Sequence, residues 1–272
     1  MSARFRDRVV WITGASSGIG EALAHSFAGE GAKVVLSARR RDELERVADA
    51  IAQGPDVRPA AVVPLDLADA ASLPDVAAKV LREHGGVDVM VHNGGISQRA
   101  RAIDASDAVD RRIMEVNYFG VVALTKALLP EMKARGGGHF VVVSSVTGYV
   151  GTPFRSGYAA SKHALHGFFE SLRAEGHKDG IAVTMVCPGF VDTEIAIKAI
   201  ERAGGGDAEK NDSRAKANKH GITAEQCASV MVDGIAKRSR EIYVGGKEIA
   251  GIYARRYAPG LLARMLRRIE TV

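Results

Sequence analysis

The pair in this chain best suited to moving a proton is Tyr158 and Lys162, set four residues apart in Ser156-Gly157-Tyr158-Ala159-Ala160-Ser161-Lys162. On a helix, that spacing puts both side chains on one face. A phenol ordinarily ionises near pH 10, too high for exchange around neutrality, and a neighbouring ammonium favours the phenolate. The pair can then act as acid in one direction and base in the other. Tyr-x-x-x-Lys alone is a common coincidence on amphipathic helices, so its surroundings decide its weight. Ser145 ends an apolar run 13 residues earlier and can donate to the same substrate oxygen. Asn117 is a polar residue inside an otherwise apolar stretch; it is either part of this set or a buried amide bonded to backbone.

A second group of residues suits a dinucleotide. Thr13-Gly14-Ala15-Ser16-Ser17-Gly18-Ile19-Gly20 joins an apolar run to a helical pattern. Gly14, Gly18 and Gly20 let the backbone turn sharply beneath a pyrophosphate, Ser16 and Ser17 add hydroxyl donors, and the helix opening at Ile19 offers free N–H groups. The next apolar run ends at Ala38-Arg39-Arg40-Arg41, where an acidic residue would bind a ribose 2′-hydroxyl. Guanidinium groups there hold a 2′-phosphate instead, which predicts NADP over NAD, with Arg39 the main contact and Arg40 the second. The competing reading pairs these arginines with Asp42 and Glu43. Two further run ends extend the groove. Asp66-Leu67 places a carboxylate for the adenine amino group, and His92-Asn93-Gly94-Gly95 supplies small residues for a ribose.

These residues need a frame that brings them to one edge. Apolar, β-branched runs at 9–13, 33–37, 61–65, 87–91, 140–144, 182–186 and 242–244 alternate with helical patterns at 19–29, 42–52, 72–83, 107–134, 158–177 and 224–237. Strand-then-helix repeats predict an α/β fold, a doubly wound parallel sheet with helices on both faces. Its ligands bind at the carboxyl ends of the strands. Residues 1–250 read as one dinucleotide-binding and catalytic domain, with a glycine-rich, mixed-charge lid at about 194–221. Residues 251–272 read as a basic amphipathic extension, with Leu261, Leu262, Met265, Leu266 and Ile269 opposite Arg264, Arg267 and Arg268. Docking of this extension on protein is favoured over contact with an anionic membrane.

Composition narrows the function classes. The chain has 272 residues, 46% hydrophobic and 25% charged, enough for a core without staples. Cys187 and Cys227 are the only cysteines, which excludes a disulfide framework and suits a reducing, cytoplasmic compartment. No run reaches membrane-spanning length, and the start of the chain lacks a signal-type apolar core. The formal charge of +5 is dispersed, without the aromatic-basic interleaving of a nucleic-acid surface, so no nucleic acid is expected. His163 and His166 share a helix, but no ligand partner is evident at metal spacing, and no metal site is expected. Tyr149, Phe154 and Phe190 flank the expected pocket and hint at an apolar carbonyl compound.

Together these motifs resemble the short-chain dehydrogenase/reductase family, in its single-domain, NADP-preferring branch. The resemblance rests on TGASSGIG at 13–20, the acidic residue at 66, Asn117, Ser145, Tyr158 with Lys162, and Pro188-Gly189-Phe190-Val191-Asp192-Thr193. It implies a Rossmann-type sheet of about seven strands and hydride transfer between a nicotinamide and a carbonyl or alcohol. By the same resemblance, Tyr158 is the general acid or base, and Ser145 positions the substrate oxygen. Lys162 binds the nicotinamide ribose and lowers the phenol pKa, and Asn117 holds a relay water. Pro188, Gly189, Val191 and Thr193 line the nicotinamide, and the protein is a homodimer or homotetramer. The family usually has Asn-Asn-Ala-Gly where this chain has His92-Asn93-Gly94-Gly95; Asn93 and Gly95 match, and His92 and Gly94 depart. The alternative is a non-catalytic NADP-binding sensor or scaffold, which the joint presence of Ser145, Tyr158 and Lys162 disfavours.

Overall fold

The computed structural model describes residues 3–54, 57–193, 195 and 221–268. Seven parallel strands are present: β1 (Val9–Thr13), β2 (Lys33–Ser37), β3 (Ala61–Val62), β4 (Val89–His92), β5 (Gly138–Val143), β6 (Ile181–Pro188) and β7 (Glu241–Val244). They lie in the order β3-β2-β1-β4-β5-β6-β7. The order reverses beside β1, which opens a crevice between the ends of β1 and β4. This is the doubly wound, Rossmann-type sheet that the alternating pattern predicts.

Strand residues alternate between the two faces, so β1 serves two cores. Val10 and Ile12 pack under helices α1 (Gly18–Gly29), α2 (Arg41–Ala52) and α7 (Ala224–Ala236), with Leu23, Phe27, Leu44, Val47 and Met231. Val9 and Trp11 face the other side, with Leu73 and Val80 of α3 (Leu73–His84), Leu124 and Leu128 of α5 (Gly120–Ala134), and Phe169 of α6 (Ser156–Glu175). Burial on both faces explains why the strands read as almost continuous apolar runs.

Three departures from the sequence reading bear on the site. The expected strand at 61–65 is regular only over Ala61–Val62. Val63 and Leu65 still donate to Leu36 and Ala38 of the neighbouring run at 2.9 and 3.1 Å. The single helix expected at 107–134 is α4 (Asp107–Met114) and α5 joined by a π-helical turn, Glu115–Phe119, that holds Asn117. This run also corrects the expectation that none has membrane-spanning length. By length and composition it qualifies, with a mean hydropathy of 1.2 over its best window, and half of that window is buried in the domain.

After β7, the chain forms α8 (Ala250–Tyr257) and α9 (Pro259–Leu266). Their apolar residues do not share one outer face. Ile252 and Leu262 are buried, whereas Leu261 and Met265 are each 57% exposed. Ile269 lies outside the described residues, as does the expected lid apart from Ile195 and Gly221.

Candidate active site

A cleft of about 590 Å³ runs along the carboxyl edge of the sheet. It is lined by Gly14, Ser16, Ser17, Gly18, Ile19, Arg39, Arg40, Asp66, Leu67, Asn93 and Gly95, and onward by Ser145, Tyr158, Lys162, Pro188, Gly189, Val191 and Thr193. Every site residue expected from sequence therefore lines it except Gly20 and Asn117.

Those two residues support the lining from behind. A Cβ on Gly20 would collide with the Gly14 carbonyl, so α1 reaches its place only because Gly20 has no side chain. Gly14 has φ +66°, and a Cβ there would lie 2.8 Å from the Gly94 Cα. Asn93 fastens the turn, its Nδ2 donating to the carbonyls of Thr13 and Gly14 at 3.1 Å each. Its amide is thus engaged by the loop itself. The start of α1 carries no side-chain cap, which leaves first-turn N–H groups directed at the cleft. Glycine turn, hydroxyls and helix start together fit a pyrophosphate.

At the far end of β2, Arg40 lies 3.6 Å from Glu43, and its Nη2 donates to Ser16 Oγ at 3.5 Å. Arg39 is exposed and has no carboxylate partner among the described residues. The competing pairing therefore holds for Arg40 and not for Arg39. Asp66 accepts from the Ala68 N–H at 2.9 Å and faces Arg112 at 3.7 Å. His92 does not replace an amide at the cleft. Its ring is buried, stacks on Phe140 and shares a 2.8 Å hydrogen bond with Thr125 Oγ1. Burial pushes its pKa down to about 3, so the ring is neutral.

The proton-handling group gathers where β5 ends and α6 begins. Ser145 starts a short 3₁₀ turn, Val146–Gly148, and its Oγ accepts from the Thr147 N–H at 3.1 Å. Tyr158 is 7% exposed and lines the cleft together with Ser145. Lys162 lies one turn along α6, its Nζ 5.7 Å from the centre of the phenol ring and donating to the Val143 carbonyl at 2.8 Å. Burial holds Lys162 down to about 8. The expected lowering of the phenol pKa by Lys162 is not what the structure gives. Burial raises Tyr158 above its ordinary value, and the opposing influences are the Arg155 charge and the neighbouring Ser145 hydroxyl. The Arg155 guanidinium stands 5.9 Å from the ring centre.

Asn117 is occupied by protein. Its Oδ1 accepts from the Ile96 N–H at 2.8 Å, and its Nδ2 donates to the Ile96 carbonyl at 2.9 Å and to Ser161 Oγ at 3.0 Å. It ties the segment after β4 to α6, which is the buried-amide alternative. A Cβ on Gly95 would lie 3.1 Å from Asn117 Oδ1 and 3.7 Å from Lys162 Nζ, so both groups border one point.

Three supporting residues escaped the sequence reading. Gln98 is fully buried, and its Oε1 accepts from the N–H groups of Gly157 and Tyr158 at 2.8 and 3.3 Å. It thereby holds the start of α6, which has no cap of its own. Glu248 accepts from the N–H groups of Phe190 and Gly246 at 2.9 and 3.0 Å, fixing the strip after β6. Arg155 precedes α6 and lines the cleft beside the phenol. Only the -Arg-Ser-Gly-Tyr- adjacency signalled Arg155; Gln98 and Glu248 carried no local signal. Of the three aromatics expected at the pocket, Phe190 lines it. Tyr149 instead donates to Glu241 at 2.7 Å and packs on His166, with ring centres 4.4 Å apart.

A family model described as short chain dehydrogenase matches residues 8–203. A dehydrogenase/reductase SDR family protein 7-like of Anopheles gambiae is 46% identical over 238 residues, covering 86% of this chain and 74% of that protein. Among solved structures, an alcohol dehydrogenase from the archaeon Thermococcus sibiricus complexed with 5-hydroxy-NADP has a TM-score of 0.75. It is 28% identical and covers 89% of this chain and 98% of its own. A short chain dehydrogenase/reductase from Burkholderia phymatum in complex with NAD has a TM-score of 0.81, with 26% identity, covering 95% of this chain and 96% of that one.

Proposed function

The chain belongs to the short chain dehydrogenase family of oxidoreductases, and on that premise we propose that it transfers hydride between NADP and a carbonyl or alcohol substrate, with Tyr158 as general acid and base. The observation that carries this reading is the meeting of Ser145, Tyr158 and Lys162 at one end of a cleft whose other end holds the glycine turn and Arg39. One solved neighbour holds an NADP derivative and another NAD, so the cofactor choice rests on this chain's own residues. Ala38 offers no carboxylate, and Arg39 is an unpaired guanidinium among the described residues, suited to a 2′-phosphate.

The bound nicotinamide supplies the hydride. The protein's own part is to position and to handle the proton. Ser145 and Tyr158 both donate to the substrate oxygen. Because burial keeps the phenol protonated at neutral pH, Tyr158 gives its proton to the oxygen during carbonyl reduction. Arg155, whose charge opposes the burial of the phenol, favours the phenolate left behind, and Lys162 binds the nicotinamide ribose. Asn117 is a positioning residue that holds α6 against the end of β4. Asp66 serves the adenine amino group, and Val191 and Thr193 border the carboxamide. We place the protein in the cytoplasm as a homodimer or homotetramer, with the described extension after β7 docked on protein.

The test pairs a substrate panel with cofactor binding. Ketones, steroids, sugars and acyl compounds are offered with NADPH, and at least one should be reduced. Arg39→Ala should weaken NADPH about ten- to hundredfold, since a hydrogen bond to a charged group contributes about 1.5–3 kcal/mol. NADH binding should hardly change. An unaltered NADPH-to-NADH ratio contradicts the cofactor assignment, and no turnover of any carbonyl contradicts the reaction.

A further inference from the structure

His163 and His166 suggest no metal partner when read along the sequence, yet the fold supplies two around His166. Glu170 lies one turn further along α6, and Glu241 comes from the start of β7. One ligand atom from each of His166, Glu170 and Glu241 lies within 4.8 Å of the others. This cluster is separate from the cleft lining.

With Ser144 Oγ donating to the Lys162 carbonyl at 3.4 Å, we assign the His166 proton to Nε2, which lies 3.0 Å from Ser144 Oγ and 3.9 Å from Cys187 Sγ. The His166 Nδ1 lone pair is then buried without a hydrogen-bond partner and faces a Glu170 oxygen 3.5 Å away. In this tautomer two acceptors face each other, an arrangement that a cation between them relieves. A neutral imidazole is also the form that binds metal.

We propose that His166 Nδ1, Glu170 and Glu241 form a site for a divalent transition ion of the zinc class. One imidazole and two carboxylates suit such an ion, with an open position for water. The surroundings have the features of an outer shell. Ser144 orients the ring through Nε2, and Tyr149 and Tyr243 donate to the two Glu241 oxygens. Glu170 is 52% exposed, which gives the ion an entry path. His166 and Glu170 share α6 with the proton-handling pair, and Ser144 contacts both His166 and the Lys162 carbonyl.

Zn²⁺ alone, titrated into the full chain against a chromophoric chelator near neutral pH, tests the site. The wild type should take up one tight Zn²⁺ and unfold at a higher temperature with it bound. Glu170→Gln, a change at the surface, should weaken binding tenfold or more and abolish that thermal shift, and His166→Gln should do the same. Mg²⁺ should not compete, because it prefers all-oxygen, near-octahedral sites. Absence of tight Zn²⁺ uptake by the wild type overturns the proposal. So does a Glu170→Gln protein that binds Zn²⁺ as tightly as wild type, which would mark the binding as adventitious.

Discussion

His92 and His139 sit in the core as neutral rings, each hydrogen-bonded to a threonine at 2.8 Å, and burial holds their pKa values down to about 3 and about 4. In the unfolded chain both take up a proton near pH 6.5, whereas the native rings do so only far lower. Their contribution to stability is therefore complete above about pH 6.5 and is lost as pH falls from there toward 4. By linkage, the loss between pH 7 and pH 5 is on the order of 2 kcal/mol for each ring. Urea unfolding at the two pH values should show this fall, and His92→Asn should remove roughly half of it; a slope unchanged by that substitution would show that His92 is not the group responsible. The same residue marks a limit of sequence reading. At position 92 the sequence showed a departure from the family pattern, but only packing against Phe140 and Phe169 reveals that the ring serves the core. Tyr158 teaches a related lesson. Its spacing from Lys162 is plain in the sequence, but the balance of burial against charge that sets its pKa depends on Arg155 and Ser145 coming together in three dimensions.

Elements with strong periodicity were legible, and irregular ones were not. Strands β1 and β2 fall where the apolar runs predict them, because residues buried on both faces leave an unmistakable pattern. The π turn at Glu115–Phe119 left no such trace, since one extra residue in a helix barely disturbs an apolar stripe; the polar Asn117 was its only sign. Helix α6 poses a different problem, because the group that secures its start is far away in sequence. Replacing Gln98 by Ala leaves the buried N–H groups of Gly157 and Tyr158 without their acceptor. The expected cost is about 1–3 kcal/mol, the range for stranding a buried donor. Turnover should fall more than NADPH affinity, because the phenol moves while the glycine turn does not. Denaturant melts and steady-state kinetics of Gln98→Ala check both; wild-type stability and turnover together would show that Gln98 does not hold the helix.

At the scale of the whole molecule, function follows from strand order. Reversal beside β1 places the ends of β1, β2, β4, β5 and β6 along one edge, and residues more than a hundred positions apart in sequence meet there. That convergence was legible, since parallel sheets carry their ligands at the carboxyl ends. The supports from outside the motifs were not, because Gln98 and Glu248 acquire their meaning only from partners distant in the chain, Gly157 and Tyr158 for the one and Phe190 for the other. Nor did the extension after β7 declare which of its apolar residues turn inward; Leu262 is buried and its neighbour Leu261 is exposed. The central claim is that the phenol at the head of α6 delivers the proton beside a bound nicotinamide. Its most direct test is Tyr158→Phe, assayed for turnover of an accepted carbonyl and for NADPH affinity in parallel. Loss of the transferable proton should cut kcat by about 10²–10⁴-fold with the dissociation constant for NADPH nearly unchanged, whereas a variant that turns over at the wild-type rate would contradict the account.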